Sequence, residues 1–319
     1  MSKLRLAPHY STLLIENFSQ TKLQMKTQET VKWNLLLLII VVIGFSVESF
    51  GQDKKENPIG ISFEHNTDKI QGWFYKAEGN GPFSTVILLQ GAGGNDGDLF
   101  NLGTDLAEEG YNAMTYNYPG AWRSEGLRTD KAALESIQSA INYVMSKSTI
   151  QMFEVDTTDI ILLGYSYGGG MALLGSSLDK RVKKVISIAG GDLSIRAKEL
   201  EEDPGFRQSF EQRVDYYLSN PSMVRGATGK QYVDSMIKNK EDYNIKKYVP
   251  ELSKKDVLLI SGSYDNMVNS ETHIMPLYQE LKSKGNGNVS LITLETDHNY
   301  ANVQNELTEV LYNWLKERE

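Results

Sequence analysis

The sequence predicts an α/β fold built on a mostly parallel sheet flanked by helices, with a helical cap insertion late in the chain. Three observations carry that prediction. From Gln52 onward, short apolar runs rich in β-branched residues alternate with amphipathic helical stretches. One junction, around Gly164-Tyr165-Ser166-Tyr167-Gly168, passes from an apolar strand directly into a run of small residues that opens a helix. Between residues 190 and 252 the strand pattern stops and then resumes.

Taken in order, residues 59–64 and 69–76 read as an antiparallel hairpin turned by Asn66-Thr67-Asp68. Strands follow at 85–90, 112–117, 159–164, 184–189, 256–261 and 289–294. A helix over 99–109 ends at Gly110, a natural C-cap. Another over 130–145 sets Ala133, Ile137, Ile141 and Val144 on one face, and a last one over 303–316 does the same with Val303, Leu307, Val310, Leu311 and Trp314. The interval 190–252 is charged, aromatic and helical in spacing, through Phe206, Phe210, Val214, Tyr217 and Leu218. It reads either as a surface excursion or as a cap arching over a site. The cap is preferred, because long insertions in compact domains are usually functional.

Residues 1–51 read as a leader rather than as part of the fold. The apolar run LLLLIIVVIGF at 35–45 is short for a membrane span, which needs roughly 20 apolar residues. It suits a secretory signal peptide. Lys26 and Lys32 precede it, Ser49 and Gly51 put small residues at −3 and −1 of a cut before Gln52, and Met25 offers an alternative start. The competing reading is an uncleaved signal anchor. With cleavage the product is secreted or periplasmic, has no stable membrane anchor, and is one domain over residues 52–319.

Charge and composition narrow the chemistry. The 319 residues carry a net charge of −8. Without the leader, 28 basic residues face 38 acidic ones, a net −10. Such a balance disfavours nucleic-acid binding, which relies on Lys and Arg to displace phosphate counterions. There is no Cys, which removes thiolate metal sites, disulfides and a cysteine nucleophile, and only four His are available for imidazole chemistry.

The run at 164–168 matches G-x-S-x-G, in the strand-turn-helix setting that this motif requires. A sharp turn projects the Ser166 hydroxyl above the sheet, and the small residues let neighbouring backbone approach. The first turn of the helix also favours an anion developing there. A serine hydroxyl needs a base. His9 lies in the leader, His65 in the hairpin, and His273 at a helix start where a solvated role is expected. His298 remains, in the loop after the last strand. The carboxylate that would orient it is Asp265, after the strand at 256–261, with Asp297 and Glu271 as the rivals. Backbone donors for an oxyanion would be the amides of Tyr167 and of Ala92 in Gly91-Ala92-Gly93-Gly94, with Gly91 and Gly93 as alternatives to Ala92.

In the order Ser166, Asp265, His298, and through Gly164 to Gly169, Gly262 to Asp265 and Asp297-His298, the chain resembles the α/β-hydrolase superfamily. The likeness is to its dienelactone-hydrolase-like and prolyl-oligopeptidase-like branch, over about residues 59–315. Asn117 to Gly126 is similar to that branch's Y-R-G-x-G-x-S-x-G segment, with Pro119 in place of the usual Arg. Gln90 stands where many relatives carry the His of an H-G motif. The resemblance implies the α/β-hydrolase fold and a Ser-His-Asp serine hydrolase acting on a small-molecule acyl substrate, with neither metal nor organic cofactor. Serine rather than cysteine at the elbow points to esterase or peptidase chemistry. Esters are preferred, since no repeated strand-rich region provides the β-propeller of the family's exopeptidases. The remaining alternative is a non-catalytic binding protein of the same fold.

Overall fold

The computed structural model describes residues 58–285 and 288–318. The expected leader and signal peptide over residues 1–51 lie outside the described residues.

The hairpin opens the fold. Strands β1 (Ile59–His65) and β2 (Asp68–Tyr75) pair antiparallel from Ile59 opposite Phe74 to His65 opposite Asp68. Asn66 takes the left-handed conformation their tight turn needs, with φ of 54°. The other strands are β3 (Phe83–Leu89), β4 (Asn112–Tyr116), β5 (Val155–Tyr165), β6 (Val182–Ile188), β7 (Asp256–Gly262) and β8 (Val289–Leu294). Sheet order is β1-β2-β4-β3-β5-β6-β7-β8, antiparallel through β1, β2 and β4 and parallel from β4 onward.

Alternation along the central strands divides the core. Ile87 and Leu89 of β3, Ile160 and Leu162 of β5, and Val257 and Leu259 of β7 face one layer. Val86, Leu88, Ile161, Leu163, Leu258 and Ile260 face the other. Strands covered on both faces read as continuous apolar runs, and β3 and β5 do so. On the first face lie α2 (Asp130–Val144), α4 (Tyr167–Leu178) and α9 (Met275–Ser283), and on the second lie α1 (Leu102–Glu108) and α10 (Gln304–Lys316). A short α3 (Lys147–Phe153), capped by Ser146, leads into β5.

Between β6 and β7 the chain is helical: α5 (Leu193–Glu202), α6 (Pro204–Leu218), α7 (Gly229–Lys238), two 3₁₀ turns and the short α8 (Val249–Leu252). Each of the three longer helices carries a cap: Asp192 on α5, Asp203 followed by Pro204 on α6, and a Thr228–Gln231 capping box on α7. Among the described residues, no helix is long and apolar enough to cross a membrane.

Several boundaries differ from expectation: β5 begins at Val155 rather than 159, β3 at Phe83 rather than 85, and one helix begins late. The helix expected over 99–109 begins at Leu102, because Phe100 and Asn101 adopt left-handed φ of 54° and 64°. Asp98 draws the chain in, accepting from the amides of Leu99, Gly103 and Thr104.

The order of strands sets the position of any site. From β3 the chain crosses to β4 on one side, then returns to place β5 on the other. The carboxyl ends of β3 and β5 therefore flank a topological switch point, where open α/β sheets leave a crevice.

Candidate active site

Ser166 sits at that switch point, between β5 and α4, with φ of 55° and ψ of −117°. A non-glycine residue there is strained, so the surroundings must hold it. They do so through backbone. The Ser166 amide donates to Ile188 O at 2.8 Å, and its carbonyl accepts from Gly169, Gly170 and Gly191. The flanking glycines are required by contact: a Cβ on Gly164 would lie 2.0 Å from Gly168 O, and one on Gly168 would lie 2.1 Å from Leu89 O.

His298, in the loop after β8, places Nε2 2.9 Å from Ser166 Oγ and Nδ1 2.8 Å from Asp265 Oδ2. With Asp265 ionised, Nδ1 carries the proton and donates to it, and Nε2 offers its lone pair to the serine hydroxyl. Burial by itself would push the Asp265 carboxyl up. The His298 hydrogen bond and the amides of Val268 and Met267, each 2.8 Å from Oδ1, outweigh it and hold Asp265 below the usual carboxylate range. Of the rivals, Asp297 is exposed and accepts from the Asn299 amide, and Glu271 is exposed on a π-helical turn over Ser270–Ile274.

The structure corrects the reading of His273. It is buried rather than solvated, its Nδ1 accepting from the Asp192 amide at 3.2 Å and its Nε2 lying 3.4 Å from Glu199. Its place is at the start of α5, and its ring partners are Asp192 and Glu199.

Ala92 occupies the second position of a tight turn closed by Gly94 N–H to Gly91 O at 3.0 Å, and it lines the same cavity as Ser166, Tyr167 and His298. Gln90 fastens this loop: its Nε2 donates to Asn95 Oδ1 at 3.1 Å and to Gly97 O at 3.0 Å. The amide of Tyr167 opens α4, where the helix dipole concentrates positive potential.

Sequence reasoning missed a buried polar cluster beside Tyr167. The Arg128 guanidinium lies between the rings of Tyr118 and Tyr167, 4.6 and 4.4 Å from their centroids, and donates to Tyr167 Oη. Tyr167 Oη and Tyr232 Oη in turn donate to Asp130 Oδ1 at 2.9 and 2.5 Å. Burial pushes the Asp130 carboxyl above its usual value, against the pull of Arg128 and the two hydroxyls. Tyr232 belongs to α7, so the cluster ties that helix to the residue that follows Ser166. Read in sequence, Arg128-Thr129-Asp130 signals only a helix start; the partners are far apart in the chain.

The cavity has a volume of about 280 Å³. Its floor holds Ser166 and His298, and its apolar wall includes Phe206, Phe210, Val214 and Tyr217 of α6. No residue of α6 is fully buried: Phe206 and Phe210 pack against the edge of the core and, with Val214 and Tyr217, line this space.

A nucleophile elbow at the switch point of a mostly parallel eight-stranded sheet defines an α/β-hydrolase. More narrowly, residues 132–299 match the family model described as BAAT / Acyl-CoA thioester hydrolase C terminal, over half of the chain, and the chain belongs to that family. It is a hydrolase. The uncharacterized protein YfhR of Escherichia coli O157:H7 is 30 % identical over 124 residues, which span 37 % of this chain and 42 % of that protein. Thiohydrolase apmlB of Arthrinium phaeospermum is 28 % identical over 218 residues, 65 % of this chain and 62 % of that one. The chain thus spans less than two thirds of the length of these relatives. Among solved structures, the esterase Pf2001 of Pyrococcus furiosus superposes with a TM-score of 0.59 at 17 % identity, covering 82 % of this chain and 90 % of that one.

Proposed function

We propose that this protein is an exported serine hydrolase that cleaves small carboxylic esters and thioesters through an acyl-enzyme. The observation that carries the reading is the continuous hydrogen-bond chain Ser166–His298–Asp265 at the floor of an apolar cavity. Ser166 Oγ attacks the acyl carbon while its proton passes to His298 Nε2. Asp265 holds the imidazole in the tautomer that can accept it and stabilises the imidazolium. The amides of Tyr167 and Ala92 hold the tetrahedral oxyanion. Collapse expels the alcohol or thiol, which takes its proton from Nε2. Water then gives a proton to His298 as its oxygen bonds the acyl carbon, and the acid leaves as Ser166 recovers its hydrogen.

The thioester part of this reading draws support from the family match and the thiohydrolase relative. Residues 190–252 would act as the cap, since α6 and α7 supply cavity wall. Export rests on the apolar run at 35–45 and the small residues before Gln52.

The test is turnover by residues 52–319 of p-nitrophenyl butyrate and of a butyryl thioester, each abolished in Ser166→Ala. Absence of turnover across ester, thioester and aminoacyl anilide panels would instead support a non-catalytic binding protein.

A further inference from the structure

The cavity is apolar along most of its wall, yet three arginines line it: Arg128, Arg196 and Arg213. Two of them have internal partners. Arg128 is held by the tyrosine rings and Tyr167 Oη, and Arg196 donates to Met267 O and pairs with Glu199 at 2.7 Å. Arg213 differs. It projects from the cavity face of α6, and no carboxylate among the described residues pairs with it.

Only one carboxylate joins the lining, that of Asp192, and it is turned to other work. Its Oδ1 accepts from the amides of Ser194 and Ile195 and from Ser194 Oγ, and its Oδ2 accepts from the Ile245 amide. Nothing on the cavity wall answers Arg213, and Arg213 and Arg196 are near enough for each guanidinium to feel the other's charge: burial draws the Arg196 pKa down, Glu199 opposes it, and Arg213 adds to the lowering while Asp265 opposes it. A guanidinium left with free donors at the mouth of an apolar cavity is suited to carboxylate or phosphate oxygens.

Resting on the hydrolase reading above, we propose that Arg213, backed by Arg196, is a specificity-determining anion site, and that the preferred ester or thioester carries a carboxylate or phosphate remote from the bond that is cut. The apolar wall formed by Phe206, Phe210 and Val214 then spans the distance between the reacting carbonyl and the charged end. The anion can belong to the acyl part or to the leaving group.

Two matched pairs separate these sources. The acyl arm compares p-nitrophenyl hemiglutarate with p-nitrophenyl butyrate, and the leaving-group arm compares butyryl coenzyme A with the butyryl thioester of N-acetylcysteamine. In at least one arm the anionic member is expected to have the higher kcat/KM. Arg213→Gln is expected to cut that anionic-to-neutral ratio about tenfold, mainly through KM, and Arg213→Lys to restore part of it. The ratio should also shrink as salt is raised, because Arg213 is exposed. A ratio unchanged by Arg213→Gln, or no anionic preference in either arm, overturns the proposal. Neutral esters report separately on the hydrolase reading: if they too are inert, that reading fails first.

Discussion

Tyr165, the last residue of β5, donates its hydroxyl to the backbone carbonyl of His298 at 2.6 Å. The strand that leads into Ser166 thus grips the loop that carries His298, across 133 positions of sequence. The two rings also lie 5.3 Å apart, so packing and hydrogen bonding restrain the imidazole together. Held by this contact, Ser166 and His298 keep their spacing even though their own loops are separate.

Tyr165→Phe keeps the packing and removes the hydrogen bond. A net hydrogen bond contributes about 1 kcal/mol. The variant should retain its fold by circular dichroism and lose about three- to tenfold in kcat on a p-nitrophenyl ester, with KM nearly unchanged. Full activity would show that the loop is fixed by other means.

Asp265→Asn should be far more damaging. The amide can hydrogen-bond His298 but favours the wrong tautomer and gives no charge to stabilise the imidazolium, a loss on the order of 10⁴ in kcat in triads of this kind. Steady-state kinetics measure it directly. A loss of less than about tenfold would assign the orienting role elsewhere.

Acid stability follows from the same carboxylate. Its folded pKa lies below the ordinary value of about 3.9, so the ionised form is favoured in the native state. The sign is then set: its stabilisation is fully present above that ordinary value and is lost as pH falls through the depressed one. Thermal unfolding should show a gap in Tm between the wild type and Asp265→Asn near pH 7 that narrows below about pH 4. A gap independent of pH would remove the electrostatic origin.

At the elbow, Gly164→Ala would bring a Cβ to 2.0 Å from Gly168 O, a backbone atom that cannot move without shifting Ser166. A loss of more than about 4 kcal/mol, or failure to fold, is expected. Chemical denaturation gives the value; a stable, active variant would contradict the tight turn.

Much of this organisation was legible in the residues. Parallel strands covered on both faces announce themselves as apolar runs, and β3 and β5 were readable for that reason. Ser166, Asp265 and His298 stood out because a reactive serine, a carboxylate and a histidine each followed a strand. The start of α1 was not legible, since Asp98 draws in three amides before the apolar pattern begins. Nor was the burial of His273, which depends on Asp192 and Glu199, residues far away in sequence. The cluster of Arg128, Asp130, Tyr167 and Tyr232 eluded pattern reading for the same reason: no periodicity links the first residue of a helix to a tyrosine about one hundred positions later.

The proposed mechanism depends above all on Ser166 as the nucleophile. Incubating residues 52–319 with a fluorophosphonate and mapping the adduct by peptide mass spectrometry tests it most directly. A single phosphonylated serine, Ser166, is expected, with labelling absent in Ser166→Ala and strongly slowed in His298→Ala. Labelling at another serine, or none in a folded protein, would contradict it.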